Sequence, residues 1–281
     1  MSRNFGDKKT DYLRFLSGEH YSITEEPPIV VISAHADDEI IGLGGQISRL
    51  KNITFIHITD GAPENMKDAF QYGFASMEQY AKKRYEEFCS ALLAAGIKMP
   101  SYIKLGFVDQ KSSYDLVKIT HILASIFMAL KPEICITHPY EGGHPDHDSA
   151  CFSVHMALKI LREKRLSTPI LFEFCSYHAD RQGKMVTFDF LPYESSSISK
   201  VILDPEKEKQ KIKMFDCFVT QKNVLQNFPT HIECFRKAPE YDFLTPPHEG
   251  KLYYEYYDWG MRGQLWRSLA EEALNRLFLS F

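Results

Sequence analysis

The chain has 281 residues, 44% of them apolar, and a net charge of −4. That supports a sizeable core in one large domain or two ordinary ones, and the charge excludes a basic surface for nucleic acid or anionic lipid. The first residues, Met1 to Lys9, are polar and lack the apolar centre of a secretory signal.

Residues 1–27 read as a lead-in segment with some helical pattern around Tyr12, Leu13 and Leu16, punctuated by Pro27 and Pro28. An alternation then begins. Pro28 to Ala34 is a continuous apolar run, as in a strand covered on both faces. Glu39 to Leu50 has helical spacing, with Gly42, Gly44 and Gly45 permitting close packing at its start. Ile53 to Thr59 is a second strand, and Ala75 to Ala95 a helix closed by Gly96. Tyr102 to Phe107 is a third strand, followed by a helix over Asp115 to Leu130. Its apolar run Ile122 to Leu130 is too short to span a bilayer and reads as a buried helix face.

Glu133 to Thr137, Asp148 to Arg162 and Ile170 to Tyr177 continue the pattern as strand, helix and strand. Helices of this length between strands argue for an α/β fold with a mainly parallel sheet and helices on both faces. After Tyr177 the alternation breaks down. Met185 to Leu191 reads as an antiparallel addition, Asp204 to Val219 as a charged helix and Ser268 to Phe278 as a terminal helix. The six cysteines are scattered without a CxxC pair and read as reduced packing residues, which points to the cytoplasm.

Two short runs carry the chemistry. Ala34-His35-Ala36-Asp37-Asp38-Glu39 follows the first strand, and His144-Pro145-Asp146-His147 follows the fourth. In open parallel sheets such βα loops line the ligand crevice, so distance along the chain does not keep them apart. Unpaired carboxylates are costly to desolvate, and a divalent cation would neutralise the cluster. His35 and Asp38 project to one side of a turn entering a helix. With His147 they give three ligands and an open position, the arrangement of a catalytic zinc site. Asp37 is then left beside the metal as a general base. His144 is placed to donate to a developing oxyanion, kept charged by Asp146 or another acid. The bland alternative makes Asp37 or Asp38 a helix cap, which explains one acid but not the pair of motifs.

These residues resemble the LmbE-like, or PIG-L, family of metal-dependent N-acetylglucosaminyl deacetylases. The family's AHPDDE stands here as Ala34 to Glu39, and its HPDH is intact at His144 to His147. Thr59-Asp60-Gly61, Arg84-Tyr85-Glu86-Glu87, Ala95-Gly96, Gly106-Phe107-Val108-Asp109 and the stretch from Lys211 to Gln221 match further family segments. The similarity runs from about residue 28 to about residue 236, and the combination is specific although each piece alone is weak.

The resemblance implies a Rossmann-like three-layer fold with a C-terminal α+β elaboration. It divides the chain into a lead-in 1–27, a deacetylase domain 28–236 and an extension 237–281 packed on the same domain. It implies Zn2+, with Fe2+ as the alternative, on His35, Asp38 and His147, with Asp37 as base and His144 stabilising the tetrahedral intermediate. Arg84 and Asp109 fall where the family contacts the sugar, and Asp146 where its acid orients the neighbouring histidine. The implied partner is a small amino-sugar substrate, with no nucleic acid or membrane; a homo-oligomer is allowed.

Two departures stand out: Ala36 replaces a proline without loss of a ligand, and Phe218 stands where a late helix often has histidine. Tyr140 is a further substrate-binding candidate, either reaching the oxyanion or covering the site. The aromatic stretch Tyr253 to Trp259 is either packing or the wall of an extended glycan cleft. Three competing readings fit less well. A mononuclear iron oxygenase would use HxD spacing on an all-β fold. A nucleotide-binding module would not place an acidic loop before its glycines. A non-catalytic carbohydrate-binding relative would not need the intact metal and base set.

Overall fold

A computed structural model of the chain describes residues 8–18, 26–193 and 196–278; the polar start at 1–7 lies outside them. In chain order the elements are α1 (Lys8–Leu16), β1 (Ile29–Ser33), α2 (Asp38–Ile47), β2 (Ile53–Pro63), α3 (Lys67–Gln71), α4 (Met77–Ala94), β3 (Ser101–Asp109) and α5 (Leu116–Leu130). There follow β4 (Ile134–Thr137), α6 (Pro145–Glu163), β5 (Ile170–Phe174), β6 (His178–Ala179), β7 (Met185–Val186), β8 (Ile198–Ile202), α7 (Pro205–Phe215), α8 (Lys222–Leu225), β9 (Ile232–Lys237) and α9 (Gly263–Phe278).

One sheet organises the chain, in the order β3-β2-β1-β4-β5-β9-β8. The first five of these strands are parallel, while β9 runs antiparallel to both β5 and β8. Ile29 of β1 pairs with Ile53 on one side and Ile134 on the other. Every residue of β1 is buried, which is why it reads as an unbroken apolar run.

The faces of the sheet carry separate cores. On one, Val31, Phe55 and Phe172 pack with Ile40 and Leu43 of α2, Phe88 of α4 and Met214 of α7. On the other, Val30, Ile32 and Cys135 pack with Leu123 and Phe127 of α5 and Val154 and Leu161 of α6. The glycines of α2 allow its close approach. A Cβ at Gly42 would fall 2.3 Å from the Phe174 ring, and one at Gly45 2.5 Å from Leu203.

Several boundaries move. The Met185 to Leu191 stretch does not extend the sheet; Met185–Val186 pairs only with His178–Ala179, and the antiparallel additions are β8 and β9. Helix α6 starts at Pro145, three residues before the expected Asp148, because proline suits the first helical turn. Helix α7 ends at Phe215 and α9 begins at Gly263. The helical stretch Ser112–Leu130, with mean hydropathy 1.3, is long and apolar enough to cross a bilayer by length and composition alone. Here it is a layer helix, with Ile119, Leu123 and Phe127 buried against α6. Residues after β9 close a third cluster, in which Phe243, Leu252, Tyr254 and Trp266 pack on Tyr140 and Phe152.

The strand order reverses between β1 and β4. Connections leave these neighbours in opposite directions, and a crevice opens at their carboxyl ends. Both motifs sit there.

Candidate active site

The chain leaves β1 and turns at Ala34 to Asp37 before entering α2. Asp37 occupies the N-cap position, yet its side chain makes no capping hydrogen bond. It faces Arg84 of α4 instead, with Oδ1 3.2 Å from Nη2. The capping alternative therefore fails for Asp37. Asp38 turns inward: its Oδ2 accepts the His35 backbone N–H at 2.8 Å and lies 3.3 Å from His35 Nδ1. Its Oδ1 lies 3.2 Å from His147 Nε2.

The second motif opens α6. His144 is the N-cap, its Nδ1 accepting the Asp146 backbone N–H at 3.1 Å. His147, one turn in, stacks on His138 with ring centroids 3.9 Å apart. The His35 ring meets His144 edge-on at 4.6 Å and His147 at 5.4 Å. Asp38 thus lies beside both His35 and His147, although β1 and α6 are distant in sequence.

The electrostatics reflect burial. Burial pulls His35 down, but Asp109 at 3.0 Å and then Asp146 and Asp38 outweigh it and hold the imidazole well above its ordinary range. Burial pushes Asp38 up, and His147 and His138 overcome this and hold it well below the carboxylate range. His147 is brought down to about 4 by burial, then by its neighbour His138. Burial also carries His144 well below its usual value, with His35 adding to the effect. Neutral imidazoles at His144 and His147 can offer a lone pair or a single N–H.

This corrects one expectation: His144 is not kept charged. The Asp146 carboxylate stands 3.9 Å from His144 Nδ1. It accepts instead from the Gln110 and Ser112 backbone N–H groups and the Ser112 hydroxyl, and lies 3.4 Å from His35 Nε2. Asp146 therefore braces His35 and the loop after β3, and His144 is oriented by its own capping bond. Tyr140 is also displaced from its expected place. It is 1% exposed, donates to the Thr245 carbonyl at 3.0 Å and stacks on Trp266, away from the cleft wall.

Above the cluster lies a cleft of about 230 Å³, lined by His35, Asp37, Asp38, Arg84, Asp109, His144 and His147 together with Asp68, Gln110, Tyr177, Gln221, Phe228 and Trp259. Arg84 and Asp109 fall on its wall, where the resemblance placed the sugar. Phe218, the position of the missing histidine, is buried in the core. The flank is formed by Gln221, Val224 and Phe228. Sequence reasoning missed His138 and Tyr177. His138 accepts the Ala34 N–H at Nε2 (3.0 Å), faces Ser176 Oγ through Nδ1 (2.8 Å) and lies 3.2 Å from Asp38. The signal for it was present, in Thr137-His138-Pro139 at the end of β4.

The donor set fits a divalent cation. Asp37, Asp38, Asp109 and Asp146 are all buried around His35, and Arg84 is the permanent cation among them. Such an excess of buried carboxylate needs compensation. His147 Nδ1 has no hydrogen-bond partner. The ligand atoms of His35, His144 and His147 lie within 4.8 Å of one another, as do those of Asp38, His138 and His147. Mixed imidazole and carboxylate donors suit zinc.

Comparison with known proteins places this arrangement. Residues 30–158 match the family described as PIG-L: GlcNAc-PI de-N-acetylase. The matched segment holds β1, β4 and the first turns of α6, and so both motifs. Over 148 residues, half of this chain, the sequence is 32% identical to a probable N-acetyl-alpha-D-glucosaminyl L-malate deacetylase 2 of Bacillus subtilis (strain 168). Over 143 residues, 43% of this chain, it is 24% identical to a 1D-myo-inositol 2-acetamido-2-deoxy-alpha-D-glucopyranoside deacetylase of Mycobacterium sp. (strain KMS). The matches span 64% and 46% of those relatives' own lengths. The fold, over 78% of this chain, is shared with the A40926 pseudoaglycone deacetylase Dbv21, with a TM-score of 0.58 at 19% identity and 99% of that chain covered.

Proposed function

We propose that the chain is a zinc-dependent hydrolase that removes an N-acetyl group from an N-acetylglucosamine-type amino sugar or conjugate. The observation that carries this reading is the position of Asp37. It is a buried carboxylate that does not cap its helix, held by Arg84 on the wall of the cleft beside His35, Asp38 and His147. The family match and the relatives' names support the same chemistry.

His35, Asp38 and His147 would hold the ion, which would supply Lewis acidity and a lowered pKa for water. Asp37 takes the proton of the attacking water. Burial pushes its carboxyl up to about 6 against the pull of Arg84, a neighbourhood suited to a base that must later return the proton. His144 accepts at Nδ1 from the Asp146 N–H, so the neutral ring carries its proton on Nε2. That N–H is the donor for the oxygen that becomes negative as the acetyl carbonyl turns tetrahedral. Asp37 then hands its proton to the departing amine, releasing acetate and the amino sugar. Arg84, with its buried Nε unpartnered, and Asp109 are the groups for the sugar hydroxyls. Asp146 acts through His35 as a positioning residue.

We read residues 28–236 as the deacetylase unit and 237–281 as an extension of the same domain. The shared packing of Trp266 and Phe243 on Phe152 and Tyr140 supports this. The six free cysteines support a reducing compartment, the cytoplasm.

The test is acetate release from a panel of N-acetylglucosamine conjugates by chelator-treated and zinc-restored protein. Activity should vanish with the metal and return with it. Release that ignores chelation would contradict the reading.

A further inference from the structure

The segment 250–263 lies beyond the PIG-L match and beyond the sequence resemblance, yet it reaches the cleft. Trp259 is on the cleft wall, its ring centroid 4.6 Å from that of His144. Tyr257 stacks on Trp259 at 4.6 Å with the planes 12° apart, and Tyr257 is 42% exposed. From there ring contacts continue through Tyr253 to Tyr177, which also touches His147. The segment is fixed to the loop that carries His144. Tyr253 N–H donates to the Gly142 carbonyl at 2.9 Å, and the Glu255 carboxylate accepts from the Leu252 and Gly263 N–H groups. A Cβ at Gly142, itself at φ +69°, would fall 2.8 Å from Leu252.

An aromatic pair that is held rigidly, partly exposed and adjacent to the proposed oxyanion donor is a stacking surface prepared in advance. Its charge environment narrows the ligand. Arg84 is the single Arg or Lys on the cleft wall among the described residues, and it is paired with Asp37. Asp68 lines the cleft, and the exposed Asp258, next to Trp259 in sequence, is paired with the exposed Lys67 at 3.8 Å. Beyond Arg84, an anionic group on the second ring would meet only carboxylates and uncharged side chains among the described residues that line the cleft away from the proposed ion.

We infer that Trp259 and Tyr257 form a second-ring subsite, which selects substrates whose acetamido sugar carries a neutral pyranose next to it. This rests on the proposed deacetylase reading for the first ring. The ring stacks on the aromatic pair while the acetamido group reaches Asp37 and His144.

Trp259 and Trp266 are the two tryptophans of the chain, and Trp266 is fully buried in the third cluster, so emission changes on ligand addition report Trp259. The experiment titrates the zinc-loaded protein with glucosamine and with the disaccharide in which glucosamine carries a β-linked glucose, so that the second ring is neutral and neither ligand has an acetyl group to lose. The disaccharide should quench or shift the emission saturably and bind about 10-fold tighter than the monosaccharide. Tyr257→Ala should remove that preference, and Tyr257→Phe, which keeps the ring, should restore it to within about 2-fold. In the hydrolytic assay, kcat/KM for the acetylated neutral disaccharide relative to an acidic conjugate such as the malate should fall by a similar factor in Tyr257→Ala. Equal binding of mono- and disaccharide, or a preference that survives Tyr257→Ala, would overturn the subsite. Disaccharide binding without acetate release from any conjugate would leave the subsite standing and overturn the deacetylase reading alone.

Discussion

The residues that define the site differ in how they show themselves. His35, Asp38 and His147 are legible because polar groups at the end of a buried apolar strand have few structural uses, and two such runs coincide here. Asp37 is legible as an acid in excess. Its partner Arg84 came only with the resemblance, since nothing in a helical arginine announces a buried ion pair. His138 is hard to read from sequence, because a histidine after a strand is more often a packing residue. Its bonds to Ala34 and Ser176 and its stack on His147 make it the group that sets the turn after β1 against α6. His138→Ala should therefore weaken zinc binding by about 10- to 100-fold, as removal of orienting partners around a metal does. Competition against a chromophoric chelator measures this. Unchanged affinity would show that the turn holds itself.

At the scale of elements, the central parallel strands β1 and β4 are readable because they are apolar and buried on both faces, and α4, α5 and α6 because glycine or proline stands at one end. The antiparallel half is not. Strand β8 alternates between exposed and partly buried positions, and β9 carries Glu233 and Arg236 inward, where they pair with Lys211 and with Glu173. Buried charges in a strand disguise it as a loop. Helix α6 holds a similar disguise in His155, which is buried among Tyr241 and Phe243 with Nε2 unpartnered. Burial, with Arg162 nearby, takes its pKa down to about 3. Between about pH 6.5 and this value the unfolded chain holds a proton that the folded chain does not, so stability is lost as pH falls through that window. The one-proton slope is about 1.4 kcal/mol per pH unit. His155→Phe should flatten the stability profile by that slope in denaturant titrations from pH 6.5 to 4. A parallel profile would place His155 in a wetter environment than the structure gives it.

On the scale of the whole molecule, one buried network ties the sheet edge to the motif loop and the C-terminal segment. Arg236 reaches Glu173 at 2.7 Å, Glu141 at 3.3 Å, the Leu191 carbonyl at 2.7 Å and the Tyr241 hydroxyl at 2.9 Å. Glu141 belongs to the loop between β4 and His144. The network therefore couples folding of the additions after β5 to the position of the site. Burial raises Glu141 and Glu173 to about 7 despite Arg236. Arg236→Met removes the compensating charge and should cost about 3–5 kcal/mol. Because these carboxyls keep protons in the fold that they lose when unfolded, their contribution falls as pH rises towards about 7. The deficit of the variant should thus be larger at pH 8 than at pH 5, as chemical unfolding at the two values would show. A deficit independent of pH would mean the carboxyls are paired elsewhere. Beyond about residue 236 the resemblance gave no guide; the sequence showed a terminal helix and left Tyr253 to Trp259 open between packing and a cleft wall, and Trp259 does line the cleft.

The proposed chemistry turns on one cation gripped by His35, Asp38 and His147 with Asp37 beside it but not holding it. Zinc titration of metal-free protein, monitored by calorimetry and by acetate release on the same samples, separates these roles. One tight ion per chain is expected in the native protein, with loss of that ion in Asp38→Asn and His147→Ala. In Asp37→Asn the ion should be retained and acetate release reduced by about 10²- to 10⁴-fold. An Asp37→Asn protein that binds no zinc, or one that keeps both its ion and near-native acetate release, would contradict these roles.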